Sequence, residues 1–159
     1  MGSIRKRVIG VLSDTHGRLR EAVLKKLAHC ELIIHAGDIG TVTVLDQLRR
    51  IGEVVAVKGN VDHGSWSARL KESECIDFYR KRILVVHSLD DLTMHPESAN
   101  VDVVIYGHSH RASNYYNNGV LYVNPGSAGP RRFTLPTSIA YLRLVDKQFV
   151  PEIVPVEEN

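Results

Sequence analysis

Five short apolar runs in this chain each stop in a cluster of glycine and polar residues. Residues 7–12, "RVIGVL", run into "SDTHG"; 31–36, "ELIIHA", into "GDIG"; 53–58, "EVVAVK", into "GNVD"; 82–86, "RILVV", into "HS"; and 101–106, "VDVVIY", into "GHSH". Short β-branched runs bounded by turn residues are the pattern of buried strands. Between the first three lie segments with apolar residues at helical spacing, 19–29 and 41–50. Strand, helix, strand, helix, strand predicts a parallel sheet with right-handed crossovers.

The second half reads differently. Residues 74–87 suggest two neighbouring strands joined at the basic 80–82, and the segments after residue 112 suggest hairpins turning at 117–119 and 146–147. No repeat or linker interrupts the pattern. The expected architecture is one domain over residues 1–159, an α/β fold of two stacked mixed β-sheets flanked by helices.

Strand ends in a parallel sheet share one edge, where open α/β proteins place their ligand sites, so the polar clusters should converge. Asp14 and His16 are spaced i, i+2, as are His108 and His110. In extended backbone that spacing points two side chains the same way, so each pair can grip an ion, with Ser109 facing away. Asp38 and Asn60 each follow a glycine, and His87 adds an imidazole. Two metals can be served by Asp14, His16, Asp38, Asn60, His87, His108 and His110 if one carboxylate bridges; Asp38 is the expected bridge. Nitrogen and oxygen donors without sulfur favour Mn, Fe, Zn, Co or Ni over Ca or Mg.

Composition narrows the classes. A formal charge of +2 is too balanced for an electrostatic nucleic-acid binder or a polybasic membrane protein. Cys30 and Cys75 fit neither a disulfide framework nor a thiolate site. The apolar part of residues 4–12 is too short for a signal peptide, and a reducing cytoplasm is the expected location. "SDTHG" after the first strand is not the G-x-G-x-x-G of a dinucleotide-binding turn.

The ordered set D-x-H, G-D, G-N-x-D, H and G-H-x-H resembles the calcineurin-like metallophosphoesterase superfamily across essentially the whole chain. The short length and "NPGS" at 124–127 are similar to its small bacterial and archaeal phosphodiesterases, and the retromer subunit that uses the fold as a protein-binding scaffold is also similar. The resemblance implies a four-layer αββα sandwich. It implies one ion on Asp14, His16, Asp38 and His110 and another on Asp38, Asn60, His87 and His108. The expected function is phosphodiester hydrolysis by in-line attack of a metal-bound hydroxide on phosphorus, with Mn the first choice of metal. A phosphomonoesterase or a non-hydrolytic scaffold are the alternatives.

Asp38 of G-D and Asn60 and Asp62 of G-N-x-D are assigned to the catalytic machinery, and Asn60, Arg111 and Arg131, with Arg132, to contacts with a small phosphate-ester substrate. Three departures matter: Val61 stands where many phosphomonoesterases of the family carry histidine, "IGTV" replaces an Asp-Arg pair after Asp38, and Ser88 replaces glycine after His87. His63 is a substitute acid at most. His35 is expected to pack or support rather than ligate, His29 and His95 to lie on the surface, and Trp66 to stack on substrate or hold its loop down. Self-association is left open.

Overall fold

A computed structural model of the chain describes residues 7–131 and 134–156. β1 (Val8–Leu12), β2 (Leu32–His35) and β3 (Val54–Ala56) alternate with α1 (Glu21–Leu27) and α2 (Val42–Ile51). The three strands run parallel, Val11 opposite Ile34 and Ile34 opposite Val55. β1 and β2 are buried along their whole length, as strands covered on both faces must be. α2 is amphipathic: Val44, Leu45 and Leu48 are buried while Arg49 and Arg50 sit in the last turn, where the helix dipole favours cations.

The rest of the described chain is β4 (Ser73–Phe78), β5 (Lys81–Val86), β6 (Val103–Ile105), β7 (Ser113–Asn117), β8 (Val120–Asn124), β9 (Ser138–Val145) and β10 (Gln148–Pro155). One sheet has the order β10-β9-β1-β2-β3 and the other β4-β5-β6-β8-β7. In the second, β5, β6 and β8 are parallel. The hairpins turn on Tyr79-Arg80, Asn118-Gly119 and Asp146-Lys147, each pair with two positive φ values, the geometry that matches strand twist. The first turn comes earlier than the basic triplet suggested. Lys81 and Arg82 already belong to β5, where the Arg82 amide bonds to the Asp102 carboxylate at 2.8 Å.

Three apolar layers hold the fold. Ile9, Val11, Ile34, Val85, Ile105 and Val123 fill the space between the sheets. Val23, Leu27, Leu45 and Leu48 pack the helices against Leu12, Ile33 and Tyr141 on the outside of the first sheet. Outside the second sheet, Leu84, Val86, Val104, Tyr106 and Tyr122 lie under residues 88–100. This fourth layer holds two 3-10 turns, Leu89–Asp91 and Pro96–Ala99, in place of an α-helix. Pro96 lacks an amide donor and Asn100 turns left-handed at φ 58°, so a helix cannot run through the segment.

Each sheet contributes three parallel strands, β1, β2 and β3 from one and β5, β6 and β8 from the other, and the loops after them meet. Burial at this density makes the inter-sheet core sensitive to volume. Ile105→Ala, at a side chain 0% exposed, is expected to cost about 2–5 kcal/mol. Urea denaturation will show this as a lower midpoint at unchanged slope.

Candidate metal centre

Where β1, β2 and β6 end, the chain turns left-handed on the residues that carry the chemistry. Asp14 (φ 56°), His16 (φ 47°), Asp38 (φ 56°), His108 (φ 73°) and His110 (φ 63°) all have positive φ. The extended backbone expected for the two i, i+2 pairs is therefore not what aligns them. Asp and His tolerate this region better than most residues, yet each such residue still costs of order 1–3 kcal/mol. The strain is held by backbone bonds between loops: Asp14 N–H to Gly37 O (3.0 Å), His16 N–H to Asp38 O (3.0 Å) and Gly17 N–H to Ile39 O (2.7 Å).

Each central carboxylate has one oxygen taken by the protein and one left over. Asp14 Oδ2 accepts from Ser13 Oγ (2.7 Å) and the His108 amide (3.1 Å), while Asp14 Oδ1 is buried with no hydrogen-bond partner among the described residues. Asp38 Oδ1 accepts from the Val61 amide (3.1 Å), and Oδ2 faces His87 Nε2 at 3.3 Å and His16 Nε2 at 3.7 Å. Two glycines permit this packing. A Cβ on Gly107 would collide with the Ser13 hydroxyl and lie 2.7 Å from Asp14 Oδ2, and one on Gly59 would collide with Asp38.

The imidazoles close around the free oxygens. Asp14 Oδ1 lies 3.4 Å from His110 Nε2, 3.8 Å from His16 Nε2 and 4.0 Å from His87 Nε2. Two groups could each hold an ion, Asp14–His16–His110 and Asp14–Asp38–His87, so Asp14 is common to both. The His16 and His110 rings are 5.4 Å apart, and the His87 and His108 rings 5.2 Å. His108 and Asn60 lie at the exposed mouth, whereas Asp14, Asp38, His87 and His110 are buried. An unpartnered carboxylate oxygen beside nitrogen donors in a buried setting is a fit for a divalent ion.

His87 Nδ1–H donates to the Ala36 carbonyl at 2.8 Å, which leaves Nε2 as a lone pair toward the site when the ring is neutral. Burial alone would lower its pKa, but the hydrogen bond to Asp38, the Ala36 carbonyl and the charges of Asp14 and Asp38 raise it overall. Burial likewise pushes Asp38 up, and His87, the Val61 amide and His16 outweigh it, holding the carboxyl well below its ordinary range. His35 is pushed down to about 4 by burial and stays neutral. Its Nδ1 accepts from Gly37 N–H (3.1 Å), so its Nε2–H bonds to Thr15 Oγ1 (3.0 Å), and it supports the loops as expected.

Two further residues brace the ligand loops. The Asp62 carboxylate, 1% exposed, accepts from the amides of Ile39 (3.2 Å), Gly40 (2.9 Å) and Gly59 (2.8 Å), tying the Asp38 loop to the Asn60 loop. With its oxygens so occupied, it holds backbone. Asn124, the first residue of "NPGS", donates to Gly107 O and to Ser109 Oγ, both at 3.1 Å, and Ser127 Oγ donates to Asp14 O at 3.0 Å. "NPGS" thus braces both ligand pairs from behind. Ser109 does not simply face away, because its hydroxyl also accepts from the Arg111 amide at 3.2 Å. Asn124 and Ser127 were not legible as braces, since an N-P-G turn is complete without tertiary partners.

Arg111, Arg131 and His63 are exposed, and Arg132 lies outside the described residues. Trp66 packs against the helix-side core, which accounts for it as a residue holding its loop down.

The profile of the calcineurin-like phosphoesterase superfamily domain matches residues 8–147. The chain belongs to that superfamily. A probable metallophosphoesterase from Methanocaldococcus jannaschii is 34% identical over 95% of this chain and 82% of its own length. A phosphodiesterase from the same organism is 29% identical over 81% of this chain and 89% of its own. The crystal structure of Vps29 with zinc from Entamoeba histolytica superposes with a TM-score of 0.71 at 23% identity, covering 93% of this chain and 98% of that one. Membership agrees with the expected class, a metal-dependent phosphoester hydrolase, and with the two-sheet fold. Among the described residues no helix is long and apolar enough to cross a membrane.

The titrations give the site a pH signature. Without metal, the stabilisation from Asp38 is present above about pH 4 and is lost as pH falls through its lowered folded value. That from His87 is present below about pH 6.5 and is lost as pH rises through its raised folded value. An ion held by His87 would need its lone pair, so binding below that raised value would expel a proton. Calorimetric titration with Mn in two buffers of different protonation enthalpy is expected to give buffer-dependent heats, and His87→Ala is expected to reduce that dependence.

Proposed function

We propose that this phosphoesterase is a phosphodiesterase working with two divalent transition-metal ions, Mn first among them, held by Asp14, His16, Asp38, Asn60, His87, His108 and His110. The observation that carries the reading is the pair of carboxylate oxygens not taken by amides or hydroxyls, Asp14 Oδ1 and Asp38 Oδ2, set among the imidazoles. Asp38 as the bridge is supported by the position of Oδ2 between His16 and His87, and Asp14 offers a second shared oxygen. The ring pairs support assigning His110 with His16 and His108 with His87. Bound ions would supply a nucleophile from water near neutral pH and neutralise charge developing on phosphoryl oxygens.

The chain's own residues do the rest. Asp62 fixes the backbone that presents Asp38 and Asn60. Asn60 at the mouth, with Arg111 and Arg131 on exposed loops, meets the substrate phosphate. Val61 is 44% exposed beside Asp38 and offers no proton to a leaving group. That favours esters whose alcohol leaves without strong protonation, and with the relative named a phosphodiesterase it supports a diester substrate. The likeness to Vps29 keeps a non-hydrolytic scaffold as the second reading; the donor set at this site argues for hydrolysis.

A diester and a monoester of one chromogenic alcohol, assayed with added Mn, separate these readings. The expected result is metal-dependent turnover preferring the diester and abolished by Asp38→Ala. Preference for the monoester contradicts the diesterase, and no turnover of either favours the scaffold.

A further inference from the structure

We propose that Arg20 is the anchor of a second anion site, one that takes a tetrahedral oxyanion of the phosphate class on the flank of the loop carrying Asp14 and His16. Arg20 closes that loop, immediately before α1, and is 7% exposed. Its Nε and Nη1 are buried with no hydrogen-bond partner among the described residues. A guanidinium cannot shed its proton, so a buried one without an acceptor is costly unless something supplies the missing charge. Its position at the start of a helix, where cations are unfavourable, adds to that cost.

Among the described residues Arg20 has no carboxylate partner in an ion pair. Glu21, the adjacent residue, is exposed and pairs with Lys25 at 3.6 Å. Arg18, two residues before, is a second exposed cation. Ala128 is buried in the same apolar cluster as Val23 and Leu27, against which Leu19, Ala22 and Leu24 pack, so the chain leaving Ser127 passes beside the start of α1. It returns at Thr137, which bridges Ser127. The excursion between them carries another exposed cation, Arg131. Gly129 fits so closely over the Asp14 and Thr15 carbonyls that a Cβ there would collide with both. The chain leaving Ser127 is therefore seated at Gly129 directly on the loop that carries Asp14 and His16. The phosphate class of the ligand rests on the phosphoesterase reading; occupation of the site does not need the metal centre.

The test uses the metal-free full chain in phosphate-free buffer of constant ionic strength, with inorganic phosphate as probe and thermal unfolding plus calorimetry as readouts. Ligand that binds the native state raises the unfolding midpoint. The wild type should respond, Arg20→Gln should not, and Arg20→Lys should bind about tenfold or more weakly, having lost the planar fork. Asp38→Ala should respond as the wild type does. That outcome separates this site from the metal centre, because diester turnover can fail while the phosphate response remains. Three results would each overturn the proposal: no response by the wild type, an equal response by Arg20→Gln, or loss of the response in Asp38→Ala.

Discussion

Everything at the site depends on five left-handed residues. Asp14, His16, Asp38, His108 and His110 keep φ between 47° and 73°, and such residues persist only where the surroundings over-determine them. The surroundings do so here by exchange between loops. The Asp14 loop is bonded to the Gly37–Ile39 backbone, the Asp38 loop to the Asp62 carboxylate, and the His108 amide to Asp14 itself. No ligand loop is held by its own strand alone. The first two links join loops of one sheet, and the third, from the loop after β6, crosses to the other sheet, so His108 meets Asp14 only when the two sheets are docked across their apolar layer.

The division of the two carboxylates follows from the same constraint. Amide and hydroxyl donors fix one oxygen of each, so the other faces the imidazoles at a defined angle rather than rotating into solvent. A proton on His87 and an ion compete for this oxygen-rich space. In the absence of metal the Asp38–His87 pair compensates itself, which keeps the apo fold tolerable near neutral pH. The buried Asp14 Oδ1, without a hydrogen-bond partner among the described residues, faces three imidazoles and marks where positive charge is most favourable.

Much of this was legible in the sequence, for reasons that can be named. Buried parallel strands write themselves as uninterrupted apolar runs, so β1, β2, β5 and β6 and the polar clusters after them stood out. Asn118-Gly119 and Asp146-Lys147 carried the turn chemistry of their hairpins. The thin fourth layer was not legible, because residues 88–100 differ from a helix mainly in Pro96 and in where Asn100 reverses. Nor was the conformation of the ligand pairs. An i, i+2 spacing is compatible with extended and left-handed backbone alike, and only contacts across loops select one. Asp62 illustrates the same limit: G-N-x-D marks an acidic residue near the site, but whether it meets substrate or backbone amides depends on the Ile39–Gly40 turn, distant in sequence. Arg20 gave no signal, since a basic residue before a helix reads as surface until its burial is known.

The central claim is that these loops shape one enclosure for two ions between Asp14 and Asp38. Anomalous diffraction at the manganese edge, from crystals of the protein soaked in Mn, tests it most directly. The account predicts two peaks about 3.5–4 Å apart, one next to His16 and His110 and the other next to His87 and His108. A single peak at saturating Mn, or peaks away from the Asp14 and Asp38 carboxylates, would contradict it.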